Sequence, residues 1–194
     1  DLHSFPTRRS SDLDLFLDYS LSVITDRAIP SVEDGFKPVQ RRILYGMLEG
    51  GYKFDKPKVK CARPVGDVMG NFHPHGDSSI YGALVVMSQP WTMRYALIDF
   101  PGNNGSRDGD GPAAYRYTEC KLSKIGEEML ADIKKDTTDW ILAYTDEERE
   151  PIYLPGKIPN LLVNGTTGIA VGMACSFAPH NMNEIMDAAI HIIN

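Results

Sequence analysis

No stretch of this chain approaches the roughly 18 uncharged apolar residues that a bilayer span needs, and no h-region of a secretion signal is present. A membrane-embedded or exported protein is therefore not expected. Cysteine is scarce: Cys61, Cys120 and Cys175 lie far apart in sequence without metal-type spacing, which reads as reduced cytoplasmic thiols packed as small hydrophobes. Repeats and low-complexity runs are missing too, and so is any surplus of positive charge, with 20 Lys and Arg against 26 Asp and Glu. A net charge of −6 would disfavour a nucleic-acid partner, but the charges are unevenly placed. From Lys37 to Arg63 there are eight bases and two acids; from Glu127 to Glu150 there are nine acids and three bases. Such a division suggests one surface for a polyanion and one facing solvent or a partner.

With 194 residues, 42% of them hydrophobic, the chain can bury one good core and part of a second. Residues 1–14 lack apolar periodicity and read as a disordered or extraneous leader. The absence of an initiator Met, and a helical pattern running to Asn194, read as a fragment. Leu15 to Ile24 is an apolar helix stopped near Ile29-Pro30. Pro38 suits the first position of a second helix, whose apolar face is Val39, Ile43, Leu44, Met47 and Leu48 and whose end is Gly50-Gly51. Arg41, Arg42 and Tyr45 fall on its other faces, leaving the arginines free for phosphate. Val65, Val68, Met69 and Phe72 have helical spacing. After the turn at Pro74-His75-Gly76, Asp77 is the expected N-cap of a helix carrying Ile80, Tyr81, Leu84, Val85 and Met87, closed by Pro90. Two helices joined by a glycine-containing turn read as helix-turn-helix. Leu97 to Phe100 reads as a strand, followed by a Gly/Asp loop to Gly111, where Asp108 and Asp110 serve turn chemistry. Lys121 to Lys135 has the pattern of an amphipathic helix. Short strands are expected at 151–154, 161–163 and 168–173, with Asn164-Gly165 as a hairpin turn, and a last helix from about Asn183.

The residues that bear chemistry are Arg116 and Tyr117, downstream of His73 and His75. A phenol with a pKa of about 10 is a poor nucleophile until a base, cation or metal assists it. Its advantage is that a phosphotyrosyl ester resembles in energy the phosphodiester it replaces, so a cut strand can be resealed. His73 and His75 could chelate a metal, but no third ligand of suitable spacing accompanies them, so phosphate contact is preferred and no metal site is assigned.

Five segments occur in order: Asp34 to Arg42, Gly66 to Gly70, His73 to Ser78, Arg116 to Glu119 and Ile158 to Gly165. Together they resemble the breakage-reunion subunit of bacterial type IIA DNA topoisomerases, the A subunit of gyrase or topoisomerase IV, from about Leu15 to Asn194. The resemblance implies an α+β fold: a winged-helix cleavage domain over residues 15–148, then the start of a β-rich shoulder, or tower, over 149–194. It implies that Tyr117 attacks DNA with Arg116 beside it, and that Arg27, Lys37, Arg41, Arg42, His73, His75 and Ser78 contact DNA. Ile169 matches an isoleucine that wedges between base steps. The resemblance further implies double-stranded DNA as substrate, a homodimer, and a B subunit that binds ATP and Mg²⁺ in an A2B2 complex in the cytoplasm. Three positions depart from the family. Gly82 stands where an acid is usual, one turn after Ser78, which puts quinolone binding at that pair in doubt. Val86 replaces an arginine, and Tyr115 replaces a methionine, so Tyr115 is a decoy for the nucleophile, assigned to Tyr117 because Thr118-Glu119 follows. The competing readings are a winged-helix DNA-binding module without catalysis and a metal-dependent phosphodiesterase built on His73, His75, Asp108 and Asp110.

Overall fold

The computed structural model describes the backbone over residues 6–194 and the side chains from residue 12. Helix α1 spans Pro6–Val23 and continues as a wider π-helical turn over Ile24–Ala28, closed by Ile29 N donating to Ile24 O at 3.1 Å. The leader expected to be disordered is thus helical from Pro6, while residues 1–5 lie outside the described residues. Pro6 fits a first helical position. No glycine or further proline interrupts the chain before Pro30, so propagation from 15–23 adds one hydrogen bond per residue.

Helix α2 (Pro38–Glu49) begins with Pro38 at its first turn, as its sequence requires, and is closed by Gly50. It crosses α3 (Ala62–Asn71) and α4 (Asp77–Val86), and the three pack against a three-stranded antiparallel sheet. The sheet has the order β1-β3-β2, with β1 at Val59–Lys60, β2 at Ile98–Asp99 and β3 at Glu119–Leu122. Ile43, Leu44, Met47, Val68, Ile80, Leu84, Leu97 and Leu122 are fully buried in the shared core. The apolar faces of α2 and α4 match the expected ones; on α3, Met69 is instead 40% exposed. Tyr45, on another face of α2, is also buried, edge-on between Phe72 and Trp140, and burial pushes its phenol up to about 12. The N-cap of α4 is Gly76, and Asp77 is its first helical residue.

The helix expected over 121–135 is divided. Leu122 N donates to Tyr52 O and Ser123 N to Leu97 O, holding 119–122 in the sheet. Only Lys124–Glu128 (α5) is helical, and Met129, Leu130 and Ile133 reach the core from successive turns. Sheet pairing overrides the helical period. A hairpin follows, β4 (Trp140–Leu142) with β5 (Arg149–Pro151). Residues 160–164 form helix α6 (Asn160–Asn164) rather than a strand, and Gly165 directly after it has a φ of 65°. Asn164-Gly165 is therefore a helix end. The hairpin in this region is β6 (Thr166–Ile169) with β7 (Ala174–Phe177), turning at Gly172 with a φ of 75°. Helix α7 (Met182–Ile193) is capped by Asn181. The architecture is α+β.

One buried carboxylate joins the parts. Asp34 is 2% exposed and accepts from Arg41 Nε at 2.6 Å, Arg41 Nη2 at 3.0 Å, Phe36 N at 3.0 Å and Leu154 N at 2.9 Å. Its own carbonyl accepts from Asn160 Nδ2. Gly35, with a φ of 70°, lies so close to Leu161 that an added Cβ would be 2.5 Å from the Leu161 nitrogen. Hydrogen bonds therefore cross the domain boundary expected near residue 149. Removing one partner of a buried ion pair leaves an uncompensated charge. Asp34→Ala should cost about 3–5 kcal/mol of stability in denaturant unfolding, and a loss below about 1 kcal/mol would remove this carboxylate from its organising role.

Candidate active site

The loop Ala113–Thr118 is fixed at both ends by one phenol. Tyr81 on α4 donates its hydroxyl to Ala113 O and shares a 3.0 Å hydrogen bond with Thr118 Oγ1. Two backbone bonds attach the same loop to the start of α3, Cys61 N to Thr118 O and Ala62 N to Tyr115 O. Tyr115 and Tyr117 sit differently within this frame. Tyr115 donates its hydroxyl to Asp77 Oδ2 at 2.8 Å and sets its ring edge-on against Tyr81, with centroids 5.6 Å apart. The hydrogen bond to the Asp77 carboxylate raises the Tyr115 pKa, so this phenol is a poorer nucleophile. Tyr117 is 66% exposed, and the Arg116 guanidinium carbon lies 4.7 Å from its ring centroid, a cation–π contact. Lys60 Nζ donates to Tyr117 O at 3.2 Å and pairs with Glu119 at 3.0 Å. The loop thus presents one phenol to solvent and retains the other.

On another side of α4 the two histidines stand together, ring centroids 4.6 Å apart. His73 is buried, and its Nδ1 accepts from Arg42 Nη1 at 2.9 Å. Burial first, then the Arg42 and His75 charges, lower its pKa to about 4, so the ring is neutral at ordinary pH. His75 is exposed. A cavity of about 270 Å³ is lined by Asp26, Arg27, His73, His75 and Ser79. A second, of about 300 Å³, shares His75 and adds Arg42, Tyr144 and Glu150. A third shares Arg27 and adds Lys37, Ile169 and Val171. Through these common residues the cavities form one groove from the β4–β5 hairpin to the β6–β7 tip.

The groove brings together Arg27, Lys37, Arg41, Arg42, His73, His75 and Ile169. The π-helical turn carries Arg27 at its exposed end. Gly168 sets the tip beside it: a Cβ there would lie 2.2 Å from Ala28 O, so only glycine permits this approach. Ile169, the next residue, is 87% exposed.

The expectation that both arginines are free is corrected: each is paired with a carboxylate. Arg41 is 7% exposed and bonded through Nε and Nη2 to Asp34, Ser31 Oγ and Phe36 O, so it supports the fold, while its Nη1 makes none of these bonds and the residue lines the cavity beside Arg42. Arg42 is held by both Glu150 carboxylate oxygens at 2.6 Å, and its charge is compensated. The basic and acidic runs therefore meet at this pair. Only three of the five Arg42 N–H donors are used, leaving two for a ligand. Lys37 Nζ donates to Thr167 O at 2.7 Å and remains near the tip. Cys61 and Cys120, distant in sequence, are both fully buried in the core.

Residues 27–194 match the family model for the A subunit of DNA gyrase and topoisomerase IV. The chain belongs to this family. It is 61% identical over 173 residues to the DNA gyrase A subunit of Streptococcus pneumoniae, covering 89% of this chain and 21% of the relative. It is 59% identical over 177 residues to that of Staphylococcus epidermidis, covering 91% and 20%, and 57% identical over 179 residues to that of Thermotoga maritima, covering 92% and 22%. The chain thus spans about a fifth of the length of these relatives.

Within the gyrase A family chain, Ser78 and Gly82 lie exposed one turn apart on α4, and a Cβ at Gly82 would meet nothing within 4 Å. Neither lines the groove; Ser79 does. No three His, Cys, Asp or Glu side chains converge as a metal site among the described residues, and no described helix is long and apolar enough to cross a membrane. Tyr117 does not line the groove of its own chain. Sequence reasoning missed Asp77, Tyr81 and Glu150 as organisers. Asp77 and Tyr81 lie within or just after the matched His73–Ser78 segment, but their partners are 32 to 38 residues away. Glu150 was legible only as one acid in a run.

At its present exposure Ile169 contributes little to packing. Ile169→Ala should lower stability by less than about 1 kcal/mol in denaturant unfolding, against about 2–5 kcal/mol for a buried isoleucine. A loss in the buried range would make Ile169 a core residue and remove it as a candidate wedge.

Proposed function

We propose that this chain is the DNA-cleaving and rejoining part of an ATP-dependent type II DNA topoisomerase, within its A subunit. The observation that carries this reading is the division of labour in the 113–118 loop: Tyr115 bound by Asp77, Tyr117 free beneath Arg116. In this reading α3 and α4 are the helix-turn-helix of a winged-helix domain with the β1-β3-β2 sheet as its wing. Residues 15–148 form that domain and 149–194 begin the shoulder, with the Asp34 and Arg42 bonds as the seam.

Tyr117 Oη attacks the phosphorus of a DNA phosphodiester. The new Tyr117 O–P bond forms as the P–O3′ bond breaks; the phenolic proton passes to solvent, and the departing 3′ oxygen gains one to become a hydroxyl. Reversal of these steps reseals the strand. Because the phosphotyrosyl ester replaces a diester of similar energy, the chemistry itself consumes no nucleotide. Negative charge that develops on the phosphorane-like oxygens calls for fixed cations. Arg116 supplies one from the same loop. Arg27, His75, the His73 N–H and the two remaining Arg42 donors line the groove where phosphate would lie, with Lys37 beyond them. In this reading a second copy of the chain presents its groove to the duplex that Tyr117 of the first attacks, since Tyr117 does not line the groove of its own chain. When bound, Mg²⁺ would act on the leaving oxygen or its neighbour; acidic residues of the B subunit would hold it, and the B subunit would also bind ATP. Ile169 at the hairpin tip would enter a base step, where unstacking costs a few kcal/mol that added contacts offset.

The test is a covalent-trapping assay on the full-length protein with its B subunit, DNA and Mg²⁺. Denaturation in mid-reaction should leave DNA attached to protein, and Tyr117→Phe should abolish the adduct while DNA binding is nearly unchanged. Binding without any adduct in the wild type would make the chain a winged-helix module. Metal-dependent cutting without covalent linkage would make it a phosphodiesterase.

A further inference from the structure

We propose that Glu150 is a positioning residue of the cleavage site, gripping Arg42 so that its Nη1 is aimed at His73 Nδ1 and the His73 proton is fixed on Nε2. The inference rests on the functional reading above and extends it to a residue on a different hairpin. The geometry is specific. Glu150 Oε2 accepts from Arg42 Nε and Oε1 from Arg42 Nη2, both at 2.6 Å, while Nη1 donates to His73 Nδ1 at 2.9 Å. The Glu150 side chain is 6% exposed and that of Arg42 23%.

A guanidinium has five N–H donors and no acceptor. Nδ1 of His73 must therefore accept, and a neutral ring then carries its hydrogen on Nε2. A proton on Nδ1 would confront the Arg42 N–H directly, so the ring is kept out of the imidazolium form. The remaining charged groups about His73 are His75, next to its ring, and Asp26 and Arg27 on the π-helical turn across the groove. What the groove receives is one neutral N–H donor in a fixed orientation and a guanidinium whose charge Glu150 balances. The two-pronged grip matters because a long arginine side chain otherwise explores many rotamers, and planar carboxylate pairing removes that freedom. A carboxylate serving only as a seam between β5 and α2 would not need to leave the third guanidinium edge on a histidine nitrogen.

The experiment is single-turnover DNA cleavage by the full-length protein, with Mg²⁺ and its B subunit, between pH 5.5 and 8. Wild type should show no acid limb from His73. Glu150→Gln has one acceptor where the carboxylate has two and sets an amide N–H against the guanidinium. It should slow cleavage by about 10- to 100-fold, the order expected when a reacting geometry is displaced. It should also introduce an acid limb near the ordinary histidine value of about 6.5, because Nδ1 becomes free to protonate. Adding His73→Gln, which offers an amide donor and cannot titrate, should remove that limb. Should Glu150→Gln fail to fold, Glu150→Asp keeps the charge on a shorter arm and should show the same limb with a smaller rate loss. A wild-type pH profile in whichever of these variants folds, or a rate loss that only follows the melting temperature with no new limb, would overturn the proposal. Absence of any adduct in the wild type would instead overturn the functional reading.

Discussion

The groove is placed by the buried ion pair between Asp34 and Arg41. Its carboxylate spends four acceptor contacts on three separate stretches: the loop before α2, the α2 arginine and the Leu154 amide. The Asp34 carbonyl adds Asn160, and Gly35 brings the backbone against Leu161. A buried pair of this kind gives little net stability over an apolar equivalent, but breaking it is costly. Its effect is on arrangement. With α2 set against 154–164, Lys37 reaches Thr167 on the hairpin and Arg42 on the next turn reaches Glu150. The groove and its isoleucine tip are consequences of that docking.

The same economy governs the tyrosine loop. Tyr81 holds the loop at Ala113 and Thr118, and Asp77, one turn earlier on α4, holds Tyr115. One short helix thereby carries, in order, the histidine turn before it, the anchor of Tyr115 and the anchor of the loop bearing Tyr117. A shift of α4 would move the histidines and Tyr117 together.

Elements whose signal is local were legible in the sequence. Pro38 began a helix, the apolar faces of α2 and α4 were read correctly, and Asn181 starts a helix where one was expected. The five ordered segments also gave the family. What failed was decided by partners distant in sequence. Residues 121 and 122 read as helical but pair with β2, and Asn164-Gly165 read as a hairpin because a glycine of positive φ serves both a turn and a helix end. Arg41 and Arg42 were equivalent as adjacent basic residues. Only the fold shows that Arg41 is paired with Asp34 and Arg42 with Glu150. Tyr115 and Tyr117 were separated by the family pattern, and the structure adds a physical difference between them.

That difference allows a direct measurement. Trypsin cuts after Arg107, Arg116 and Lys121, so it separates Tyr115, in the peptide Asp108 to Arg116, from Tyr117, in the peptide Tyr117 to Lys121. DNA cleaved by the full-length enzyme, trapped, nuclease-trimmed and digested, should leave its residual 5′-nucleotide on the peptide that begins at Tyr117. A nucleotide on the peptide ending at Arg116 would contradict the account, since it would mean that the phenol bound by Asp77, and not the exposed one, attacks DNA.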